Sequence, residues 1–388
     1  MPYDSNLNFV FWNPTKIVFG ENTALDIGIE VESLKCKRAL IVTDKDLIKN
    51  TDIPEKIRKA LGNLCVGIFS DVEPDSGIHI VNQGAKFGAG RGADCLVSVG
   101  GGSTIDTAKG MAILMKEGGR LQDYAGFQAL TKPQTPHLVI PTTAGTGSEV
   151  TYIAVIKDHQ EGRKLLFGDY HILPNVAILD PRMTEGLPPR LTAATGMDAM
   201  CHAIEALHSL QKEPITDGLA LHAIRLIKEF LPRAVEHGKD MMAREQMLIS
   251  ANMAGSAFSN AGLGLVHGLA HSVGAIFGVH HGLANSILLP PCLRYNADAC
   301  GDVYLNVLSV LGVNIEKIPP DKAGDIIADQ ITEFTKKLGL PQRLRDVGVP
   351  EAGLKECSQL ALSDGAIVYN PKFISDSTQV LKVYQEAW

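Results

Sequence analysis

Short apolar runs alternate with longer amphipathic stretches along the first 185 or so positions. The short runs predict buried strands at residues 15–19, 38–43, 65–69, 95–99, 137–140, 152–156 and 176–179. Between them, residues 54–61 and 78–87 carry apolar positions at helical spacing. This alternation of strands and helices is typical of an α/β domain built on a parallel sheet.

From residue 187 onward the pattern changes, since long helical periods dominate and no comparable strand run follows. Helices are predicted at residues 191–210, 215–231 and 243–259. A chain of 388 residues exceeds the size at which one core usually keeps growing. We therefore expect the class α/β plus all-α, with an α/β domain over residues 1–186 and a helical domain over residues 187–388.

Composition narrows the choice of partners and compartment. The formal net charge of -7 comes without a long basic run, which argues against nucleic acid as a partner. Seven cysteines lie scattered without CxxC spacing, which is typical of reduced thiols. No signal-like leader and no apolar span of membrane length is visible, so a cytoplasmic protein without membrane contact is expected.

Two glycine loops follow predicted strands, and both suit phosphate binding. The first, GGGS, opens a helix, so backbone amides and a helix N-terminus meet there. The second, PTTAGTGS, adds threonine hydroxyls, and together the loops can grip one pyrophosphate. Each loop taken alone is also compatible with an ordinary surface turn. The candidate residues are Gly101, Gly102, Ser103, Thr142, Thr143 and Thr146.

Asp44 stands at the end of the strand predicted over residues 38–43. A carboxylate at this place can accept hydrogen bonds from the ribose hydroxyls of an adenosine and repel a 2′-phosphate, which favours NAD over NADP. The alternative is a strand-end aspartate that caps a turn.

Four histidines lie between residues 261 and 282. His267 and His271 are four apart and share one helix face. In a continuous helix, His281 would lie about 21 Å from His267 along the axis. Glycines 274, 278 and 282 offer places where the helix can end and the chain turn back.

Asp198 and His202 are also four apart on one predicted helix, where a structural hydrogen bond is the alternative to metal binding. With His267 and His281 they make one carboxylate and three imidazoles, ligands suited to Fe²⁺, Zn²⁺ or another divalent ion. Spacing alone does not choose between His281 and its neighbour His280.

Several motifs, in the same order and over nearly the whole chain, resemble the iron-containing (group III) alcohol dehydrogenases, which include lactaldehyde reductase and 1,3-propanediol dehydrogenase. The motifs are NPTKIVFG, GGGSTIDTAKG, IPTTAGTGSEVT, ATGMDAMCHAIEA, GLGLVHGLAHSVGA and HHGLANSILLP. The resemblance implies a dehydroquinate synthase-like fold, in which an N-terminal NAD(P)-binding domain and a C-terminal helical metal domain enclose the active site in a cleft.

Carried over position by position, the resemblance implies roles for individual residues. Asp198, His202, His267 and His281 would bind the metal, and His271 would stand by the nicotinamide. Phe258 would contact substrate. The cofactor contacts would be Asp44, Gly101, Gly102, Ser103, Thr142, Thr143, Thr146 and Lys164. Ala366, Tyr152 and Ile153 differ from the pocket of lactaldehyde reductase, so lactaldehyde is not implied as substrate.

The activity implied is reversible hydride transfer between NAD and short primary alcohols or diols, with the metal as Lewis acid and His271 relaying the proton. Glycerol dehydrogenase, a dehydroquinate synthase-like enzyme and a non-catalytic metal or nucleotide sensor are the alternatives. The fourth ligand position at His202 argues against glycerol dehydrogenase. Apolar residues around the metal motifs argue against the sugar-phosphate substrate of a dehydroquinate synthase-like enzyme. A homodimer or larger homo-oligomer is expected, with residues 9–19 as an edge strand for pairing.

Overall fold

A computed structural model describes residues 7–161 and 163–388. The chain folds as two compact units. One is Asn13–Leu187, and the other joins the described residues up to Trp12 to Pro188–Trp388. The backbone amide of Trp12 donates to Asn260 Oδ1 at 2.7 Å, and Asn260 Nδ2 donates back to the Trp12 carbonyl at 3.3 Å. This pairing attaches the first described residues to the helical unit, whereas the sequence assigned residues 1–186 to the α/β domain.

The described part of the first unit contains nine strands. They are Lys16–Phe19 (β1), Ala39–Asp44 (β2), Cys65–Val72 (β3), Cys95–Gly100 (β4), Gly126–Phe127 (β5), His137–Pro141 (β6), Ile153–Asp158 (β7), Arg163–Gly168 (β8) and Val176–Leu179 (β9). Six of them form a parallel sheet in the order β1-β9-β6-β4-β2-β3. The predicted parallel sheet is thereby confirmed.

The strand predicted over residues 152–156 does not belong to this sheet. It forms β7, which pairs antiparallel with β8, and β8 also pairs with β5 in a separate three-stranded sheet. A parallel crossover needs a dozen or more residues, whereas only four positions of the sequence separate β7 from β8, which allows only a hairpin. The run is a strand, as predicted, but it lies in the second sheet.

Five helices cover the parallel sheet. They are Ile27–Ser33 (α1), Lys45–Asn50 (α2), Ile53–Leu61 (α3), Ile78–Gly90 (α4) and Gly102–Glu117 (α5). Leu40 and Leu96 are register partners that pack into one apolar layer, while Ile41 and Val97 pack into the other. Successive side chains of a strand point to opposite faces, so both faces of the sheet are buried.

The described residues of the second unit form helices and their connections, without a strand. Its helices are Pro189–His208 (α6), Pro214–Glu236 (α7), Met241–Ala261 (α8), Leu265–Phe277 (α9), His281–Tyr295 (α10), Ala297–Val310 (α11), Pro320–Lys337 (α12), Leu354–Ala361 (α13) and Ser377–Ala387 (α14). Every residue of α6 from Thr192 onward is buried, which makes this helix the centre of the unit. Among the described residues, no helix combines the length and apolar character needed to cross a membrane.

The turn between α9 and α10 brings their ends together. Gly278 closes α9 in the left-handed conformation, with φ of 67°, and α10 begins three residues later. Gly282, in the first turn of α10, lies against α6, because a Cβ atom there would stand 2.3 Å from the carbonyl oxygen of Ala194. Only glycine allows this approach, since a backbone atom cannot move aside as a side chain can.

Replacing Gly282 with alanine should therefore destabilise the protein. We expect a net loss of up to about 2 kcal/mol, because overpacking costs about 1–3 kcal/mol and alanine regains about 1 kcal/mol of helix propensity. Urea unfolding of the metal-free protein measures the change. The matched control is Gly218→Ala on α7, where a Cβ meets no atom within 4 Å and stability should rise. A Gly282→Ala protein as stable as the control would contradict the close approach.

Candidate active site

Helix α6 presents Asp198 and His202 on one face, and both side chains are almost fully buried. The distance from Asp198 Oδ1 to His202 Nε2 is 3.8 Å. This is too long for a hydrogen bond, so the structural alternative raised for this pair does not describe it. Two donor atoms instead point towards a common place without bonding to each other.

Helices α9 and α10 add two imidazoles to the same place. Asp198 Oδ1 lies 3.6 Å from His267 Nε2 and 3.4 Å from His281 Nε2. The rings of His267 and His281 are only 5.3 Å apart at their centroids, because the chain turns back at Gly278. His280 is exposed at the N-cap position of α10, so the geometry gathers His281 and leaves its neighbour outside the cluster.

The charges in this cluster are strongly coupled. Burial by itself disfavours the charged form of Asp198, but the surrounding imidazoles of His202, His281 and His267 hold its pKa below the ordinary range. Burial likewise disfavours protonated His267, but the carboxylates of Glu205 and Asp198 raise its pKa to about 9. The site therefore keeps an ionised carboxylate at its centre.

Two buried side chains that the sequence analysis missed hold the cluster in place. Asn285 Nδ2 donates to Asp198 Oδ1 at 2.6 Å and lies 3.1 Å from both His267 Nε2 and His281 Nε2. Glu205 accepts a short hydrogen bond from His267 Nδ1. The spacing of Glu205 from Asp198 on α6 was a usable signal, because residues seven apart share a helix face.

His271 stands beside this cluster with its own carboxylate partner. Its ring stacks on that of His281 at 5.3 Å, and its Nδ1 lies 2.8 Å from Asp364 Oδ2. The backbone amide of Ala366 donates to the other oxygen of Asp364 at 2.9 Å, which fixes the carboxylate. The imidazole lowers the pKa of the Asp364 carboxyl in spite of burial. Sequence alone gave no signal for this pair, since the two residues are 93 positions apart.

Phe258 borders the cluster on another side. Its ring stacks on His202 with centroids 4.3 Å apart, and the residue is buried. An aromatic ring in this place keeps water from one side of the donor atoms.

The donor set fits a divalent cation. Three imidazole nitrogens lie 3.4–3.8 Å from one carboxylate oxygen, and three of the residues, Asp198, His267 and His281, place their donor atoms within 4.8 Å of one another. Within the described residues, the buried Oδ1 of Asn285 also has no hydrogen-bond partner. Mixed nitrogen and oxygen ligands suit iron or zinc rather than magnesium or calcium.

The two glycine loops of the first unit lie together, as the sequence predicted. The Thr142 amide donates to the Gly100 carbonyl at 3.0 Å. A Cβ at Gly101 would stand 3.3 Å from Thr143, and one at Gly102 would stand 2.8 Å from Thr146. The glycines therefore permit the close contact of the loops at the N-terminus of α5.

Ser103 and Lys164 meet at this loop through a residue that the sequence did not indicate. The Asp75 amide donates to Ser103 Oγ at 3.1 Å, and Lys164 Nζ contacts Asp75 Oδ1 at 2.8 Å. Lys164 thus brings a positive charge to the loop that was interpreted as a phosphate cradle.

Asp44 ends β2 and caps the next helix. Its Oδ1 accepts the Leu47 amide at 2.7 Å, which matches the capping alternative named for this residue. A carboxylate has two oxygens, so capping through one oxygen is compatible with a ribose contact through the other.

Asp106 and Lys109, the charged pair within the motif GGGSxxDxxK, have structural partners instead. Lys109 Nζ donates to the carbonyls of Thr151 and Ile153 at 2.8 and 2.7 Å, and burial lowers its pKa to about 8. Asp106 accepts the Val155 amide at 3.0 Å. The pair attaches α5 to the start of β7.

Comparisons with known proteins agree on one family. Residues 14–181 match the family "Iron-containing alcohol dehydrogenase", and residues 192–388 match "Fe-containing alcohol dehydrogenase family, C-terminal". The NAD-dependent methanol dehydrogenase of Bacillus methanolicus is 37% identical over 96% of this chain and 98% of its own. The lactaldehyde reductase of Escherichia coli (strain K12) is 38% identical over 95% of this chain and 97% of its own.

A solved structure of 1,3-propanediol oxidoreductase superposes with a TM-score of 0.95 at 37% identity, covering 98% of this chain and all of the other. Sequence identity above 30% over nearly full lengths and the matching fold lead to the same conclusion as the motifs. The chain belongs to the iron-containing alcohol dehydrogenase family.

Proposed function

We propose that this protein is a metal-dependent, NAD-linked dehydrogenase that interconverts short primary alcohols or diols with their aldehydes. The observation that carries the proposal is the convergence of three imidazole nitrogens within 3.8 Å of one buried carboxylate oxygen, Asp198 Oδ1. Relatives named as dehydrogenases of methanol and reductases of lactaldehyde support the substrate class.

Asp198, His202, His267 and His281 are the proposed ligands. A divalent cation held there, Fe²⁺ or Zn²⁺, supplies Lewis acidity that favours ionisation of an alcohol oxygen. Phe258 stacks on His202 and covers that side of the site. There it would exclude water and contact the apolar part of the substrate.

His271 is the proposed proton acceptor during oxidation of the alcohol. Hydride leaves the alcohol carbon for the nicotinamide ring, and the hydroxyl proton passes to the protein. Because Asp364 accepts the hydrogen of Nδ1, the Nε2 lone pair of His271 is the one that can take a proton. Asp364 thereby fixes the useful tautomer.

The glycine loops are the proposed pyrophosphate site. Backbone groups of Gly101 and Gly102 at the N-terminus of α5 favour an anion, and Lys164 adds a positive charge. Four hydroxyl groups line the same loops, those of Ser103, Thr142, Thr143 and Thr146. Asp44 would accept hydrogen bonds from the ribose.

The test is NADH formation across C2 to C5 alcohols and diols, with chelator-stripped protein reloaded separately with Fe²⁺ or Zn²⁺. We expect turnover only after reloading. Variants sharpen the test: His267→Ala and His281→Ala should bind the metal far more weakly than the wild type and lose activity. His271→Ala should keep its metal, measured by elemental analysis, and lose about 10²- to 10⁴-fold in kcat.

The matched control for these variants is His280→Ala, which removes an exposed imidazole adjacent to His281 and should keep both metal and turnover. Full activity of His267→Ala with bound metal would refute the ligand set. Absence of turnover with every alcohol and both metals would refute the proposed reaction.

Cofactor choice should depend on Asp44. Asp44→Ser keeps a side-chain oxygen that can cap α2, but it removes the negative charge that would repel a 2′-phosphate. We expect kcat/KM to fall with NAD and rise with NADP, measured with the same alcohol, while thermal stability stays near that of the wild type. An unchanged ratio of the two kcat/KM values would assign Asp44 to capping alone.

A homo-oligomer is proposed from the sheet edge. Among the residues that the structure describes, strand β1 pairs with β9 alone, and its Ile17 and Phe19 are 40% and 43% exposed, so a second copy can pair along this edge. Light scattering should give at least twice the chain mass of 41.7 kDa for the wild type and a smaller mass for Phe19→Lys. Ile48→Lys, at a similarly exposed residue on α2, is the control that should not change the mass.

A further inference from the structure

Glu205 is a fully buried carboxylate beneath the histidine cluster. It lies on α6 three residues after His202 and seven after Asp198, so all three side chains share one helix face. Both of its oxygens accept hydrogen bonds from α9. Oε1 accepts the Val266 amide at 2.8 Å, and Oε2 accepts His267 Nδ1.

The start of α9 is built around this carboxylate. The residue at the N-cap position is Gly264, which has no side chain to cap the helix, and the Glu205 carboxylate takes that part. A Cβ atom at Gly264 would stand 3.0 Å from Glu205 Oε1, so glycine leaves the room that the carboxylate needs. The contact therefore fixes the backbone that carries His267 as well as its ring.

We propose that Glu205 is a positioning residue that sets the tautomer of His267 and thereby the affinity of the protein for its divalent metal. The inference rests on the metal site of the proposed function. In the neutral form of His267, which is the form that binds a metal, a hydrogen on Nδ1 held by Glu205 leaves the lone pair on Nε2, which faces Asp198 Oδ1 at 3.6 Å. A hydrogen bond that orients a ligating histidine through its other ring nitrogen typically changes metal affinity by about 10- to 100-fold.

Only a carboxylate can serve both partners. The Val266 amide is a fixed donor, and His267 Nδ1 must also be a donor if Nε2 is to bind metal. Glutamine has the same shape but only one acceptor oxygen. If that oxygen serves Val266, the NH₂ group faces Nδ1 and favours the tautomer with its hydrogen on Nε2. The isosteric amide should therefore lose metal affinity while keeping the volume of the core.

The experiment compares the dissociation constants of Zn²⁺ and Co²⁺ for the wild type and Glu205→Gln by chelator competition. We expect binding to Glu205→Gln to be about 10- to 100-fold weaker. The matched control is Glu213→Gln. Glu213 is also buried and also accepts two backbone amides, those of Ile215 and Thr216 at 2.8 Å, but at the start of α7. It should lose stability without losing metal affinity.

A double variant separates positioning from general damage to the fold. In a His267→Ala background, where Nδ1 is gone, Glu205→Gln should not weaken metal binding further. If Glu205→Gln does not fold, Glu205→Asp and Glu213→Asp give the same comparison, because the shorter carboxylate reaches its partners less well and only the former should lose metal affinity.

Three results would overturn the inference. Equal metal affinity of the wild type and Glu205→Gln would refute the positioning role of Glu205 and leave the proposed ligand set intact. If Glu205→Gln weakened metal binding as much in the His267→Ala background as in the wild type, Glu205 would not act through His267. A wild-type protein that binds neither metal would overturn both this inference and the proposed function.

Discussion

The main constraint on the helical unit is to hold one carboxylate and three imidazoles together, and all of these side chains except that of His281 are almost fully buried. Burying ionisable groups costs free energy unless each is paired or hydrogen-bonded. Here the cost is offset by fixed partners, because Asn285 donates to Asp198 and Glu205 accepts from His267. The close approach of α10 to α6 at Gly282 follows from the same need, since a larger residue would move His281 away from the cluster.

In the α/β unit, the order of the strands brings the candidate cofactor-binding residues together. Strands β2, β4 and β6 are neighbours in the sheet and run parallel, so their carboxyl ends lie side by side. Asp44 and the two glycine loops follow these strand ends in turn. A ligand with a ribose and a pyrophosphate needs a carboxylate, backbone amides and hydroxyls within reach of one another, and this sheet order supplies them at one edge.

Sequence patterns predicted most elements, because the spacing of apolar residues along the chain reflects which face of a helix or strand is buried. The long helices α6, α7 and α8 and the parallel strands were found within a few residues. The pairing of β7 with β8 was missed, because the partner of a strand depends on the segment that follows it and not on its own residues. Asp364 and Asn285 were missed for a related reason: their partners are 93 and 87 residues away. Likewise, spacing alone left His280 and His281 open, and the turn at Gly278 brings His281 to the cluster.

The charged residues near the glycine motif show why a motif does not assign roles by itself. Lys109 lies within GGGSxxDxxK, yet its amine is fully buried and donates to two carbonyls at the start of β7. A cation committed in this way cannot reach a phosphate without leaving buried acceptors unpaired, which costs about 1–3 kcal/mol for each group. Lys164 comes from β8, more than 50 positions later, and contacts Asp75 beside Ser103. The positive charge at the proposed pyrophosphate site is therefore supplied by tertiary structure, and the lysine inside the motif serves the fold.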